Sequence, residues 1–184
     1  MANLLLGLLG IAQSNATNAC NAISQSTSIE CLKSPSESLT SQYISSTDHY
    51  WSAANSGRNP ACVVYPTSAE DLASVISTLL QYPDVPFAVK SGGHNPNVGF
   101  SSINATGVLI SLSHINSTTL SSDKSIAYLT PGVTWAETIG ALEPYNVAVV
   151  GGRVGTLSGN PPSKIQVNKL QAISGLEDCC WVVV

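Results

Sequence analysis

Residues Phe87 to Phe100 read FAVKSGGHNPNVGF, and this stretch decides how the chain is read. Phe87-Ala88-Val89 is a short apolar strand. It breaks into Lys90-Ser91-Gly92-Gly93-His94-Asn95, with Gly99-Phe100 after it. Two adjacent glycines lack Cβ atoms, so backbone N–H groups can turn toward an anion at close range. Ser91, Asn95 and Lys90 offer further donors and a positive charge, and His94 follows the turn directly. The tetrapeptide by itself fits an ordinary hairpin turn equally well. The flanking sequence separates the two.

Upstream, Cys62-Val63-Val64-Tyr65 is a β-branched strand ended by Pro66. Thr67 is the expected N-cap of a helix, with Glu70 completing a capping box. Leu72, Val75, Ile76, Leu79 and Leu80 recur at helical spacing and predict one apolar face. A strand, a helix and a strand that ends in a glycine turn make a ligand site in an α/β sheet. Downstream, Gly107 to Leu112, Ser125 to Leu129 and Asn146 to Val150 read as strands. Thr134 caps a second helix with Glu137, its apolar face being Trp135, Ile139 and Leu142. The last strand runs into Gly151-Gly152-Arg153-Val154-Gly155. That segment is not a G-x-G-x-x-G fingerprint, because Val150 stands where glycine is needed and no helical pattern follows. A G-x-x-x-x-G-K-S/T phosphate loop is absent too.

The remaining composition narrows the class. The 184 residues carry 10% charged side chains and a net charge of -4, which argues against a nucleic-acid surface. A hydrophobic fraction of 43% belongs to a globular chain. No run reaches the roughly 18 apolar residues of a bilayer span. Leu4 to Ile11 has the length of a secretory signal core, with a small-x-small cleavage site at Gly10-Ile11-Ala12, although Met1-Ala2-Asn3 lacks the usual charge. Asn15, Asn104 and Asn116 head N-x-S/T sequons and are candidate glycosylation sites in a secreted chain. Of five cysteines, Cys20 and Cys31 are spaced for a local disulfide, and no zinc pattern occurs. Tyr50-Trp51 reads as packing, and His49 and His114 as structural or solvated.

Five blocks in order carry a resemblance. They are Pro60-Ala-Cys-Val-Val-Tyr-Pro-Thr-Ser-Ala-Glu-Asp-Leu72, Phe87-Ala-Val-Lys-Ser-Gly-Gly-His94, Gly107-Val-Leu-Ile-Ser-Leu-Ser113, Thr130-Pro-Gly-Val-Thr-Trp135 and Val150-Gly-Gly-Arg-Val-Gly155. From about Tyr50 to Gly155 the chain resembles the FAD-binding, PCMH-type domain of the vanillyl-alcohol oxidase and p-cresol methylhydroxylase superfamily. Within it, the fungal, secreted, berberine-bridge-enzyme-like oxidases match best. The resemblance implies an α+β (α/β) fold of two small sheet-plus-helix lobes, with FAD as cofactor. It implies a cofactor set of Lys90, Ser91, Gly92, Gly93, His94, Asn95, Gly99, Pro131, Gly132, Gly151, Gly152, Val154 and Gly155. His94 stands where many members attach the flavin covalently through its 8α carbon. Val154 stands where some carry a second, cysteinyl bond, so none is expected here.

After Gly155 the family pattern fails. The expected organisation is a signal region over 1–19, an N-terminal arm over 20–56, a partial FAD-binding domain over 57–159 and a divergent tail over 160–184, truncated relative to the family. Asn160 to Gln171 and Cys179-Cys180-Trp181 match nothing in it. The resemblance therefore supplies no catalytic base, and Tyr65, Tyr128 and Tyr145 read as core or surface tyrosines. Intact relatives would oxidise a small alcohol, sugar or secondary metabolite, with hydride transfer to FAD and O₂ as acceptor. The alternative is a non-catalytic remnant that binds FAD weakly or not at all. A Ser/Thr-rich structural glycoprotein fits the composition but not the five blocks.

Overall fold

The computed structural model describes residues 2–33, 41–152, 154–156 and 163–169, with 2–7 and 163–169 described as backbone only. The tail from 170, and the tail cysteines and tryptophan in it, lie outside the described residues. The chain divides into two compact units, Met1–Ile115 and Asn116–Val184.

The first unit holds α1 (Ala2–Ser26), β1 (Glu30–Lys33), α2 (Ser41–Asp48), β2 (Cys62–Tyr65), α3 (Ala69–Leu79), β3 (Phe87–Lys90) and β4 (Val108–Ser111). Its sheet has the order β1-β2-β4-β3. β4 runs parallel to both β2 and β3, and β1 is antiparallel to β2. Every residue of β2 and β4 is buried, which is why these strands read as unbroken apolar runs rather than alternating ones. One face carries Cys62, Val64, Val108 and Ile110 against Ala16, Ala19, Cys20 and Ile23 of α1 and Val75 and Leu79 of α3. The other carries Val63, Tyr65, Ala88 and Leu109 with Tyr43 of α2. Burying each of these valine, leucine and isoleucine side chains contributes roughly 1.5–3 kcal/mol.

Several expectations shift. The α3 cap is Ser68, not Thr67: Ser68 is extended, and its hydroxyl accepts from the Asp71 N–H. Thr67 instead donates from its N–H and hydroxyl to the Asp71 carboxylate at 3.0 and 2.6 Å. Leu80 is 75% exposed, because the helix closes at Leu79 and Tyr82 packs against the core in its place. The local Cys20–Cys31 disulfide is also wrong. Cys20 bonds Cys62, 42 residues away, pinning α1 to the central sheet. Cys31 keeps its thiol, which burial pushes up in pKa. The arm is more ordered than its composition suggests, since α1, β1 and α2 all fall within it or before it.

The second unit holds β5 (Thr118–Leu120), β6 (Ile126–Leu129), α4 (Trp135–Leu142), β7 (Val147–Val149) and β8 (Ser163–Lys169). Its sheet order is β5-β6-β8-β7, with each described pairing antiparallel. The expected capping box on α4 is present between Thr134 and Glu137. Trp135 and Leu142 enter the core, but Ile139 is 48% exposed and Thr138 is buried instead.

Candidate functional site

The glycine turn leaves the C-terminal end of β3, the position at which open α/β sheets bind ligands. Gly93 has φ +70°, a left-handed backbone that glycine adopts without strain. A Cβ there would lie 2.9 Å from Lys90 Cε, 3.0 Å from the His49 carbonyl oxygen and 3.1 Å from Tyr50 Cδ1. The glycine is needed because the chain segment 49–50 passes directly behind it.

Several carbonyls of the turn and the loop after it are taken by the segment from Tyr50 to Asn55. The Gly93 carbonyl accepts from the Trp51 N–H at 3.2 Å. The carbonyls of Asn95 and Pro96 accept from Asn55 Nδ2 at 3.0 and 3.3 Å. The Ser101 carbonyl accepts from the Tyr50 hydroxyl at 2.8 Å. By contrast, the N–H groups of Gly92, Gly93 and Asn95 donate to no described residue, and Gly93 is buried. Buried backbone donors are seldom left unpaired. Unpartnered amides in a glycine turn can form a nest for an anion, and a pyrophosphate fits this donor set.

Lys90 departs from its expected role as a charge at the ligand. It is 5% exposed, and its ammonium donates to the Ser46 carbonyl at 2.6 Å. It also lies 3.9 Å from the centre of the Tyr50 ring. Burial lowers its pKa to about 8 against the opposing pull of Asp48. Lys90 is thus a strut beneath the turn. Burial raises the Tyr50 phenol, which stays neutral. His94 is half-buried, and its imidazole stacks on Trp51 at 5.3 Å between centroids. Asn97 N–H donates to Asn95 Oδ1, and Gly99, at φ +89°, donates to Ser102 Oγ.

In the second unit the other expected residues gather at the start of α4. The Gly155 carbonyl accepts from the Ala136 N–H at 2.9 Å, satisfying a free amide of the first helical turn. A Cβ at Gly151 would fall 2.4 Å from the Trp135 ring. Gly132 is buried, and the N–H of Val133 after it closes a turn on the Thr130 carbonyl. Pro131 and Gly152 are half-buried, and Val154 is exposed. Arg153 lies outside the described residues.

Sequence reading missed Asn55, Ser102 and the Trp51 ring. Asn55 and Ser102 lie 47 positions apart and meet only in the fold. Trp51 was expected to pack, yet it is 68% exposed and faces His94. The tyrosines fall as expected: Tyr65 is buried, with its hydroxyl bonded to Ser46, and Tyr128 and Tyr145 are partly exposed. His49 bonds Ser45, and His114 packs on Tyr65. Among the described residues no group of three or more His, Cys, Asp or Glu is placed to hold a metal.

Comparison with known proteins gives a consistent answer. The family model described as "FAD binding domain" matches residues 60–163. An FAD-dependent monooxygenase of Arthrobotrys oligospora is 48% identical over 99 residues, covering 54% of this chain and 19% of that protein. The FAD-dependent monooxygenase macF of Penicillium terrestre is 36% identical over 156 residues, 80% of this chain and 29% of macF. Among solved structures, glucooligosaccharide oxidase of Acremonium strictum, with its 6-S-cysteinyl, 8α-N1-histidyl FAD, aligns with TM-score 0.58 at 18% identity. The match covers 78% of this chain and 28% of that one. The chain therefore spans less than a third of the length of these relatives. The match over 60–163, more than half of the chain, places it in the FAD binding domain family of FAD-dependent oxidoreductases.

Proposed function

We propose that the Ser91-Gly92-Gly93-His94-Asn95 turn would hold the FAD pyrophosphate through its backbone amides, and that His94 would be the residue that carries the flavin covalently. An 8α C–H bond would be exchanged for a C–N bond to the ring, with the proton released to solvent and the two electrons passed to O₂. The observation that carries this reading is the N–H of buried Gly93, which has no acceptor among the described residues, beside the half-buried Gly92 and exposed Asn95, whose N–H groups also donate to no described residue. The bound flavin supplies hydride acceptance. This chain's residues contribute orientation: Trp51 sets one face of the His94 ring, and the Lys90 strut holds the turn at its base. The histidyl FAD of the Acremonium strictum oxidase supports the assignment of His94. Val154 at the second position predicts a single covalent link.

The whole protein, in this reading, oxidises a small alcohol, sugar or secondary metabolite and passes the electrons to O₂. It is secreted and glycosylated. The Cys20–Cys62 disulfide needs an oxidising compartment. Among the described side chains of α1, Leu8, Leu9 and Ile11 are exposed, and Ala16, Ala19, Cys20 and Ile23 are buried, so cleavage before Gln13 would leave these four in place. Asn104 and Asn116 are exposed, whereas Asn15 is half-buried.

The test is an absorbance scan of the purified chain followed by acid precipitation. Yellow colour that stays with the precipitate, and that His94→Ala releases into the supernatant, supports the reading. A chain that remains colourless after incubation with FAD overturns it and leaves the non-catalytic remnant.

A further inference from the structure

We propose that Asn55 is the positioning residue that presents the glycine turn to the cofactor, by holding the loop carbonyls to the rear. This rests on the turn's role as the FAD site. An anion entering the nest meets N–H groups favourably and carbonyl oxygens unfavourably, so the same loop binds or repels according to which way its peptides face.

The segment from Tyr50 to Asn55 engages the carbonyls that follow and flank the nest, while the Gly92, Gly93 and Asn95 amides belong to the neighbouring peptides 91–92, 92–93 and 94–95. It supplies the donors for all four loop carbonyls that are bonded from behind: Gly93, Asn95, Pro96 and Ser101. Asn55 is the centre of it. Its side chain is fully buried, and one Nδ2 reaches two successive carbonyls. Its Oδ1 accepts from Ser102 Oγ, which in turn accepts from the Gly99 N–H at 3.4 Å. A single carboxamide thereby ties both ends of the 95–102 loop. The orientation of the amide follows from its neighbours. Reversed, Oδ1 would face two carbonyl oxygens, and Nδ2 would displace the Ser102 bond. No other side chain of this size donates to two acceptors and accepts from a third in that geometry. Aspartate has no donor when ionised, serine is too short to bridge both ends, and glutamine adds a methylene to a fully filled space. Asn55 is thus conformational machinery for a site that its own side chain does not enter.

The experiment compares the full-length wild type, Asn55→Ser and Ser102→Ala by FAD titration, read from flavin fluorescence, and by amide hydrogen exchange with and without FAD. The wild type is expected to bind FAD with protection of residues 91–102. Asn55→Ser is expected to raise the Kd about tenfold or more, the equivalent of one to two hydrogen bonds. It should also lose the FAD-dependent protection of 91–102, while 62–65 and 108–111 exchange as in the wild type. Ser102→Ala, which removes one leg of the tie, is expected to show the same pattern with a smaller rise, about threefold. It decides the matter alone if Asn55→Ser does not fold. Variants that bind FAD as the wild type does would overturn the inference and leave the FAD site standing. Loss of protection throughout 62–65 and 108–111 would overturn it as well, by making Asn55 a core residue only. Failure of the wild type itself to bind FAD is a different outcome: it removes the FAD reading, and this inference with it.

Discussion

The indole of Trp51 and the imidazole of His94 lie stacked, with ring centroids 5.3 Å apart and planes 23° apart. The Trp51 backbone also binds the turn, through its N–H to the Gly93 carbonyl. One residue therefore touches both the backbone of the turn and the face of the histidine ring.

An aromatic pair of this kind is worth about 0.5–1.5 kcal/mol. Trp51→Ala is expected to slow formation of acid-stable flavin by up to about tenfold, with Trp51→Phe recovering most of the rate. The measurement is the time course of flavin retained in acid-precipitated protein after FAD is added. Unchanged kinetics in Trp51→Ala would remove the ring from the account.

The two left-handed glycines of the loop should respond differently to alanine. At Gly93 the new methyl meets a backbone oxygen, a lysine stem and a tyrosine ring at 3.1 Å or less. At Gly99, φ +89°, it meets open space. Gly99→Ala is therefore expected to cost only the conformational term, about 1–2 kcal/mol. Gly93→Ala should cost more than that and abolish FAD binding, since the turn must move off residues 49–50. Urea midpoints of both variants decide it, and equal losses would contradict the packing described here.

Lys90 gives stability a pH dependence of predictable sign. Burial lowers its pKa from 10.5 to about 8, so between those values the folded chain has released the proton and the unfolded chain still holds it. The unfolded state then binds more protons, and stability rises with pH across the window. The buried charge costs the fold about 3 kcal/mol below pH 8, and that cost is relieved progressively above it. Lys90→Met should remove the rise. Urea unfolding of both proteins at pH 7, 8 and 9 tests this, and parallel curves would refute it.

The Cys20–Cys62 bond closes a loop of 42 residues in sequence separation. Chain entropy predicts a stabilisation of about 4 kcal/mol from a loop of this length. Reduction, or Cys20→Ser, should lower the urea midpoint accordingly. Peptide mapping of the oxidised protein should find Cys20 linked to Cys62 and Cys31 alkylated. A Cys20–Cys31 peptide would restore the pairing that sequence spacing suggested.

That disulfide shows where sequence reading stops. Cys20 and Cys31 are neighbours along the chain, but α1 lays Cys20 on the sheet face that carries Cys62. The α3 cap moved by one residue for a similarly local reason, since Ser68 and Asp71 offer the same chemistry one step along from Thr67 and Glu70. The strands β2, β3, β4, β6 and β7 and the helices α3 and α4 were legible because their apolar spacing and capping residues lie within one short window. β1 and β5 were not, because four and three mixed residues carry no period strong enough to stand out.

By itself, the sequence determined the two sheet-and-helix units, the glycine turn at the end of β3 and membership of a flavin-binding family. The units and the turn follow from local backbone chemistry, since glycine permits the turn, β-branched runs make the strands, and Thr134 with Glu137 starts α4; the family followed from the resemblance of five sequence blocks. Only the tertiary structure decided which groups stand behind the turn. Asn55, Trp51, Tyr50 and Ser102 reach it from 40 or more positions away or from the far side of the loop, and Lys90 turns down into the core instead of toward a ligand. The physical reason is that a peptide's direction is set by the partner that takes its carbonyl, and that partner is chosen by packing rather than by proximity in the chain.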